Sequence, residues 1–212
     1  MKRTYKDEAI VLRRQNIGEA DRILTLFTKN HGKIKAIAKG VRKVQSKKSP
    51  HLDLLILSQI FFAKAREIDI ILEAQSVEVY DGLKKSLAKM KAGLYFAELV
   101  DVLSAERQEH QEVFNLLREA LRSISTSHES KVPLISRSFE LKLLSLLGFW
   151  SRSRLKIEKR EVLLGADILE KRSFKDIDSL SIEEGLEKEL SRRLQTIIED
   201  ISERRLKTPR FI

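Results

Sequence analysis

The sequence predicts an α+β multidomain fold, a small β-barrel followed by a mainly α-helical domain. Over residues 1–80 apolar positions recur with the period of strands, and from Asp81 onward with the period of helices. Basic charge sits at the front, with 16 Lys and Arg against 9 Asp and Glu in residues 1–80 and 25 against 22 in the remaining 132. Between two strand-like segments, Ala38–Leu52 (AKGVRKVQSKKSPHL) carries Lys39, Arg42, Lys43, Lys47 and Lys48 and no acid. The expected domains are 1–80 and 81–212.

Glu8–Arg13 (EAIVLR) reads as a first strand, and Asn16–Gly18 as the turn after it. In Asp21–Thr28 (DRILTLFT), Ile23, Thr25 and Phe27 fall on one face and Leu24 and Leu26 on the other. Asn30-His31-Gly32 turns the chain into Lys33–Lys39, where Ile34, Ala36 and Ala38 form the buried side and Lys33, Lys35 and Lys39 face out. After the basic loop come Leu54–Ala63 and Ile68–Val77, joined by Lys64–Glu67. Five short strands linked by turns suit an oligonucleotide-binding (OB) type barrel, which hides its edges by closing; an SH3-like barrel has the same coarse pattern.

A basic loop held at both ends by a small sheet is suited to gripping phosphates, and a solvated cationic surface is the plainer alternative. Lys33 and Lys35 would extend its charge along the third strand, and Arg13, Arg14 and Arg22 would enlarge it. Stacking of bases needs exposed aromatics, and of Phe61 and Phe62, which point to opposite faces, one is expected to be exposed. Backbone binding without sequence preference is the expectation. The carboxylates of Glu19 and Asp21 read as a capped turn rather than a metal site.

In the second part, Leu83, Leu87, Met90, Leu94 and Ala97 define one face of a helix running to Leu103, with Tyr95, Phe96, Leu99 and Val100 in a broader apolar belt. Val113 to Ile124 marks a second helix, and Pro133 to Gly148 a third. Arg152, Arg154, Lys156, Lys159 and Arg160 form a second basic cluster, in a segment that reads as a hairpin turning at Gly165 or as irregular helix. Ser181 and Glu184 suit a capping box for a last helix through Ile201. The tail ends in Phe211 and Ile212, either frayed or docked on the helices.

The 212 residues are 42% hydrophobic with a formal net charge of +10, enough for real cores and favouring a polyanionic partner, nucleic acid before an anionic membrane. With no cysteine there is no disulfide, thiolate metal site or cysteine nucleophile. His31, His51, His110 and His128 are widely separated, and neither a phosphate loop nor a dinucleotide fingerprint is present. No enzyme, cofactor or metal is expected; His51 is a candidate phosphate contact or turn residue. Without a signal peptide or an apolar run of about 20 residues, a cytoplasmic protein is expected, nucleoid-associated if its polyanionic partner is DNA.

The run EAIVLRRQNIGEADRILTLFTKNHGKIKAIAKGVRK, Glu8–Lys43, resembles the bacterial DNA repair protein RecO family. The GEADRILTLFT segment, the turn with His31-Gly32 and the AKGVRK segment follow in that family's order. Weaker likeness continues through Glu73-Ala74, Tyr95, Glu98-Leu99, Phe114–Leu117, Phe139–Leu141 and Leu147–Phe149 to the closing Leu206–Phe211. The resemblance implies an N-terminal OB domain and a helical domain, binding of single- and double-stranded DNA, annealing of complementary strands, and work with RecR and the single-stranded-DNA-binding protein SSB to load RecA. It assigns DNA binding to Lys33, Lys35, Lys39, Arg42 and Lys43, with Lys47 and Lys48 supported by charge and position. For the SSB C-terminal tail, composition offers Arg137, Lys142, Arg152 and Arg154. Many family members carry a four-cysteine zinc module where residues 151–175 stand here; zinc is not carried over. An RNA- or ribosome-associated module and a structural adaptor are the alternative functions.

Overall fold

Strand β1 spans Thr4–Ile17, longer than the six residues its Ile-Val-Leu core suggests, because it serves two partners in a computed structural model of the chain. Thr4–Ile10 pairs with β4 (Leu57–Ala63), and Ala9–Ile17 pairs with β2 (Asp21–Thr28), both antiparallel. β2 pairs with β3 (Gly32–Ala38), and β5 (Asp69–Glu78) closes the ring by a short parallel contact with β3 and a full antiparallel one with β4. The order β1-β2-β3-β5-β4 makes a closed barrel of the OB type. The structure describes residues 3–155, 159–202, 206 and 208.

Strand alternation fills this barrel with Ala9, Val11, Leu24, Leu26, Ile34, Ala36, Ala38, Ile60, Phe62 and Ile71. The basic stretch adds two plugs of its own, Val41 and Leu52, 1% and 0% exposed. Two apolar anchors thus pin the ends of a cationic loop. Residues 54–56, expected to open the fourth strand, turn instead, with Leu55 at a φ of 65°.

The chain forms two compact units, one of residues 1–80 with 104–118 and one of 81–103 with 119–212. In the first, residues 104–108 lie along β3: the Arg107 amide donates to the Lys33 carbonyl at 2.8 Å. Gly32 permits that approach, since a Cβ there would stand 1.8 Å from the Gln108 carbonyl oxygen, and its φ of 64° suits glycine besides.

The second unit is built around α4 (Val132–Leu146), whose apolar side chains meet α2 (Leu87–Leu103), α5 (Arg160–Lys171), α6 (Phe174–Asp178) and α7 (Glu184–Ser202). Phe96 of α2 stacks on Phe139 of α4 at 4.2 Å between ring centroids. The first expected helix is broken at residues 85–86 into α1 (Asp81–Lys84) and α2, so Leu87, placed by periodicity on the buried face, is 71% exposed. Tyr95, Phe96, Leu99 and Val100 carry the packing instead. α3 spans Gln111–Thr126.

Residues 160–171 and 174–178 are helical, which removes the hairpin alternative. Gly165 lies buried within α5, where a Cβ would come 2.9 Å from Leu186 Cδ2 of α7, so that side chain would have to shift. α7 begins at Glu184, with the Glu183 carbonyl receiving the Leu186 and Glu187 amides, so Ser181 precedes the cap position rather than filling it. Ser173 does cap a helix, accepting from the Asp176 amide at the start of α6. Lys156 and the closing Phe211-Ile212 lie outside the described residues.

Candidate nucleic-acid interface

Barrels of this class generally take oligonucleotides on the face of strands 2 and 3. Here that face is largely closed. Leu57, Ile10, Phe27 and Lys33 stand in register across four strands on the outer side, and the three apolar residues are 0% exposed. Lys33, expected to face solvent, is 9% exposed because residues 104–108 run beside it and Glu106 forms a bridge with it. Lys35 is exposed but its ammonium lies 2.7 Å from Glu106 Oε1, which holds the Glu106 carboxyl below the ordinary carboxylate range.

The other side of the barrel is open. A cleft of about 770 Å³ lies between the basic loop and the outer faces of β4 and β5, lined by Lys6, Lys39, Lys47, Lys48, His51, Gln59, Phe61, Leu72, Glu73 and Gln75 among others. Lys6, Phe61 and Glu73 form one row across β1, β4 and β5, and Glu8, Gln59 and Gln75 the next. Of the two adjacent phenylalanines, Phe62 is the core residue at 0% exposure, and Phe61 is half-buried in the cleft with Lys6 Nζ 5.6 Å from its ring centroid. A register shift in β5 opposite Phe61 and Phe62 leaves Leu72 unpaired with β4, so Leu72 and Glu73 are both exposed beside Phe61.

The loop is a chain of tight turns. The Lys43 amide donates to the Gly40 carbonyl, Ser46 to Lys43, Ser49 to Ser46 and His51 to Lys48. Three hydrogen bonds tie it to the β1–β2 turn: Gly40 N–H donates to Asp21 Oδ1 at 2.7 Å, and Arg42 donates from its amide to the Ala20 carbonyl and from Nη1 to the Gly18 carbonyl. Asp21 therefore anchors the basic loop, a role beyond its own turn. On the far side Lys48 Nζ donates to the Ile71 carbonyl at 3.0 Å, and its partial burial lowers the ammonium's proton affinity. His51 Nδ1 accepts from the Ser76 amide at 3.2 Å, leaving Nε2 as the nitrogen that carries the proton.

Of the seven basic residues singled out from sequence, Lys39, Lys47 and Lys48 line this cleft, whereas Arg42 and Lys43 stand exposed on the loop outside it. Arg14 pairs with Asp53, and Arg22 donates from Nε to Asn16 Oδ1 at 3.0 Å, so both brace turns. Lys6, Gln59, Glu73 and Gln75 carry no sequence signal of a site, because each is an isolated polar residue in a strand. Only strand register brings them together.

Of the four cations proposed for the helical domain, the three whose side chains are described, Arg137, Lys142 and Arg154, have separate surroundings. Arg137 is 2% exposed, donating to Glu140 Oε1 at 3.0 Å, to Glu187 Oε1 at 3.4 Å and to Ser191 Oγ. Tyr95 OH donates to the same Glu140 oxygen at 2.6 Å. Arg137 is thus part of the core, held there by its ion partners, and is not offered to a ligand. Lys142 donates to the Glu170 carbonyl and lies 5.9 Å from the Phe174 ring centroid. Arg154 is exposed, and the side chain of Arg152 lies outside the described residues. Near Phe174 a second cleft, about 560 Å³, is lined by Glu119, Arg122, Ser123, Thr126, Ser173 and Lys175 among others. Among the described residues no group of three or more His, Asp or Glu is arranged to hold a metal ion.

Residues 1–80 match the family described as Recombination protein O N terminal, and residues 84–152 match Recombination protein O C terminal. The chain belongs to the RecO family. A DNA repair protein RecO of Pelotomaculum thermopropionicum is 37% identical over 145 residues, 68% of this chain and 56% of that protein. Those of Roseiflexus and Trichodesmium erythraeum are 33% identical over 147 residues and 38% over 124, covering 51% and 43% of their own lengths. The chain thus spans about half the length of the RecO relatives it matches. Both RecO matches end by residue 152, ahead of the cysteine-free helices α5 to α7.

Proposed function

We propose that this RecO chain is a DNA-binding recombination mediator that anneals complementary strands in recombinational repair. The observation that carries the proposal is the cleft, where Lys6, Lys39, Lys47 and Lys48 surround a half-buried phenylalanine on an OB barrel. Cations bind phosphates without reading sequence, and an aromatic face accepts any base. Arg42 and Lys43 extend the grip at the loop's outer edge. Residues 1–80 act as the DNA-binding domain, and the helices of 81–212 as the partner-binding one.

Annealing of this kind needs no covalent step. Holding one strand extended while neutralising charge near a second lowers their repulsion, and base pairing supplies the driving force. The family likeness supports RecR as the partner with which RecA is loaded. An acidic, aromatic-ended SSB tail suits the cleft beside Phe174, where Arg122 and Lys175 stand with Lys142 behind the ring. The test is annealing of SSB-coated complementary oligonucleotides, with and without RecR, by wild type and by the Lys39→Ala/Lys47→Ala/Lys48→Ala variant. The variant is expected to lose annealing at moderate salt; unchanged annealing contradicts the proposal. Preference for structured RNA over single-stranded DNA at matched salt would favour an RNA-associated module instead.

A further inference from the structure

A groove that served only to hold phosphates would have no use for a carboxylate among its lysines. The barrel cleft has one. Glu73 is exposed in the same lining as Lys6, Lys39, Lys47 and Lys48, where its charge opposes a phosphate, and among the described residues its side chain makes no hydrogen bond or ion pair. Gln59 and Gln75, opposite each other in the β4–β5 register, also line the cleft with no side-chain hydrogen bond among the described residues. Two amides and a carboxylate sit around one half-buried aromatic ring, and the β5 irregularity that exposes Leu72 (42% exposed) alongside Glu73 widens the apolar platform. Apolar stacking surface with a few convergent polar groups is the make-up of a pocket for a flat heterocycle, and about 770 Å³ lies within the size range of such pockets.

We infer that the cleft reads an unstacked base, with Phe61 as the stacking face and Glu73 selecting bases by the N–H donors on their Watson–Crick edge. This deepens the DNA-binding proposal and rests on it. A carboxylate is acceptor-only. Guanine offers it two adjacent donors, N1–H and the N2 amine, so both carboxylate oxygens are engaged. Cytosine and adenine each offer one amine beside an acceptor. Thymine offers a single N3–H between two carbonyls, whose lone pairs face the carboxylate. Gln59 and Gln75 supply both donors and acceptors, and so satisfy the remaining edge of any base. A Watson–Crick edge is free only in a single strand, so the pocket also separates single-stranded from duplex DNA. Lys6, on a flexible stem at 5.6 Å from the ring centroid, swings from Phe61 to the flanking phosphate as the base enters.

The test uses short oligothymidylates, all thymine or carrying one central guanine or one central hypoxanthine, which lacks the N2 amine. Titrations follow fluorescence anisotropy with wild type, Glu73→Gln and Phe61→Ala, and circular dichroism checks folding. Wild type should bind the one-guanine strand about fivefold or more tighter than all-thymine, as a good bidentate base contact does. Hypoxanthine should fall between. Glu73→Gln should abolish the guanine preference, and Phe61→Ala should weaken single strands more than duplex. Equal affinity of wild type for guanine and thymine strands, or a preference that survives Glu73→Gln, overturns the inference. If binding is then still salt-sensitive and dependent on Lys39, Lys47 and Lys48, the DNA-binding proposal stands without it. If wild type binds none of the strands, both fail.

Discussion

On the β2–β3 side of the barrel Lys33 is 9% exposed and Lys35 is held by Glu106, whereas on the β4–β5 side Lys39 and Lys47 stand exposed in a cleft around Phe61. Strand β3 supplies lysines to one side, and the basic loop after it supplies them to the other. What differs is whether the chain brings its own anion to them. The helical unit carries the contrast to its limit: Arg137, its charge answered by Glu140 and Glu187, is 2% exposed. A cation already neutralised by its own chain contributes to stability. One left facing solvent beside an aromatic is available to a ligand.

That contrast breaks most readily at Arg137. Arg137→Ala leaves Glu140, 0% exposed, without its ion partner, and should destabilise the protein by about 3–5 kcal/mol. Denaturant unfolding checks this; DNA affinity of the folded fraction should be unchanged. The adjacent phenylalanines sharpen it next. Phe62→Ala should cost about 3–5 kcal/mol as a barrel-core truncation, while Phe61→Ala should cost about 1 kcal/mol or less in stability and instead weaken single-strand binding.

Two smaller effects follow from carboxylates. Burial raises the Glu187 proton affinity above the ordinary carboxylate range, with Arg137 partly offsetting it. A raised folded-state value means that stability from this group is fully present below the ordinary range and is lost as pH rises through the raised value. Glu187→Gln should therefore flatten the fall in unfolding free energy over that interval. Glu106 has the opposite sign. Lys35 holds it low, so its contribution is present above the ordinary carboxylate range and is lost as pH falls. As an exposed pair it is worth less than about 1 kcal/mol, and Glu106→Gln should leave both stability and DNA affinity nearly unchanged, since Lys35 lies outside the cleft.

The barrel was legible where a strand's alternation decides its facing: Leu24 and Leu26, then Ile34, Ala36 and Ala38, enter the core as their period requires. The basic loop between β3 and β4 was legible from charge. Lys33 was not, since a segment some seventy residues later covers it and nothing in its own strand announces that. Nor was the choice between Phe61 and Phe62, which needs the inward register of β4. Leu87 misled because the helix breaks just before it, and Gly165 because a glycine inside a helix reads as a turn until the approach of Leu186 is seen. Glu73 and the two glutamines carry no motif, and only strand pairing gathers them around Phe61.

The most direct measurement is the salt dependence of single-stranded DNA affinity for wild type, Lys39→Ala/Lys47→Ala/Lys48→Ala and Lys35→Ala. Each phosphate contact to a single strand contributes about 0.7 to the slope of log affinity against log salt. If the open cleft is the DNA site, the triple variant should lower that slope by about 2 and Lys35→Ala should leave it unchanged. A triple variant with the wild-type slope, alongside a reduced slope for Lys35→Ala, would place the DNA on the β2–β3 face instead.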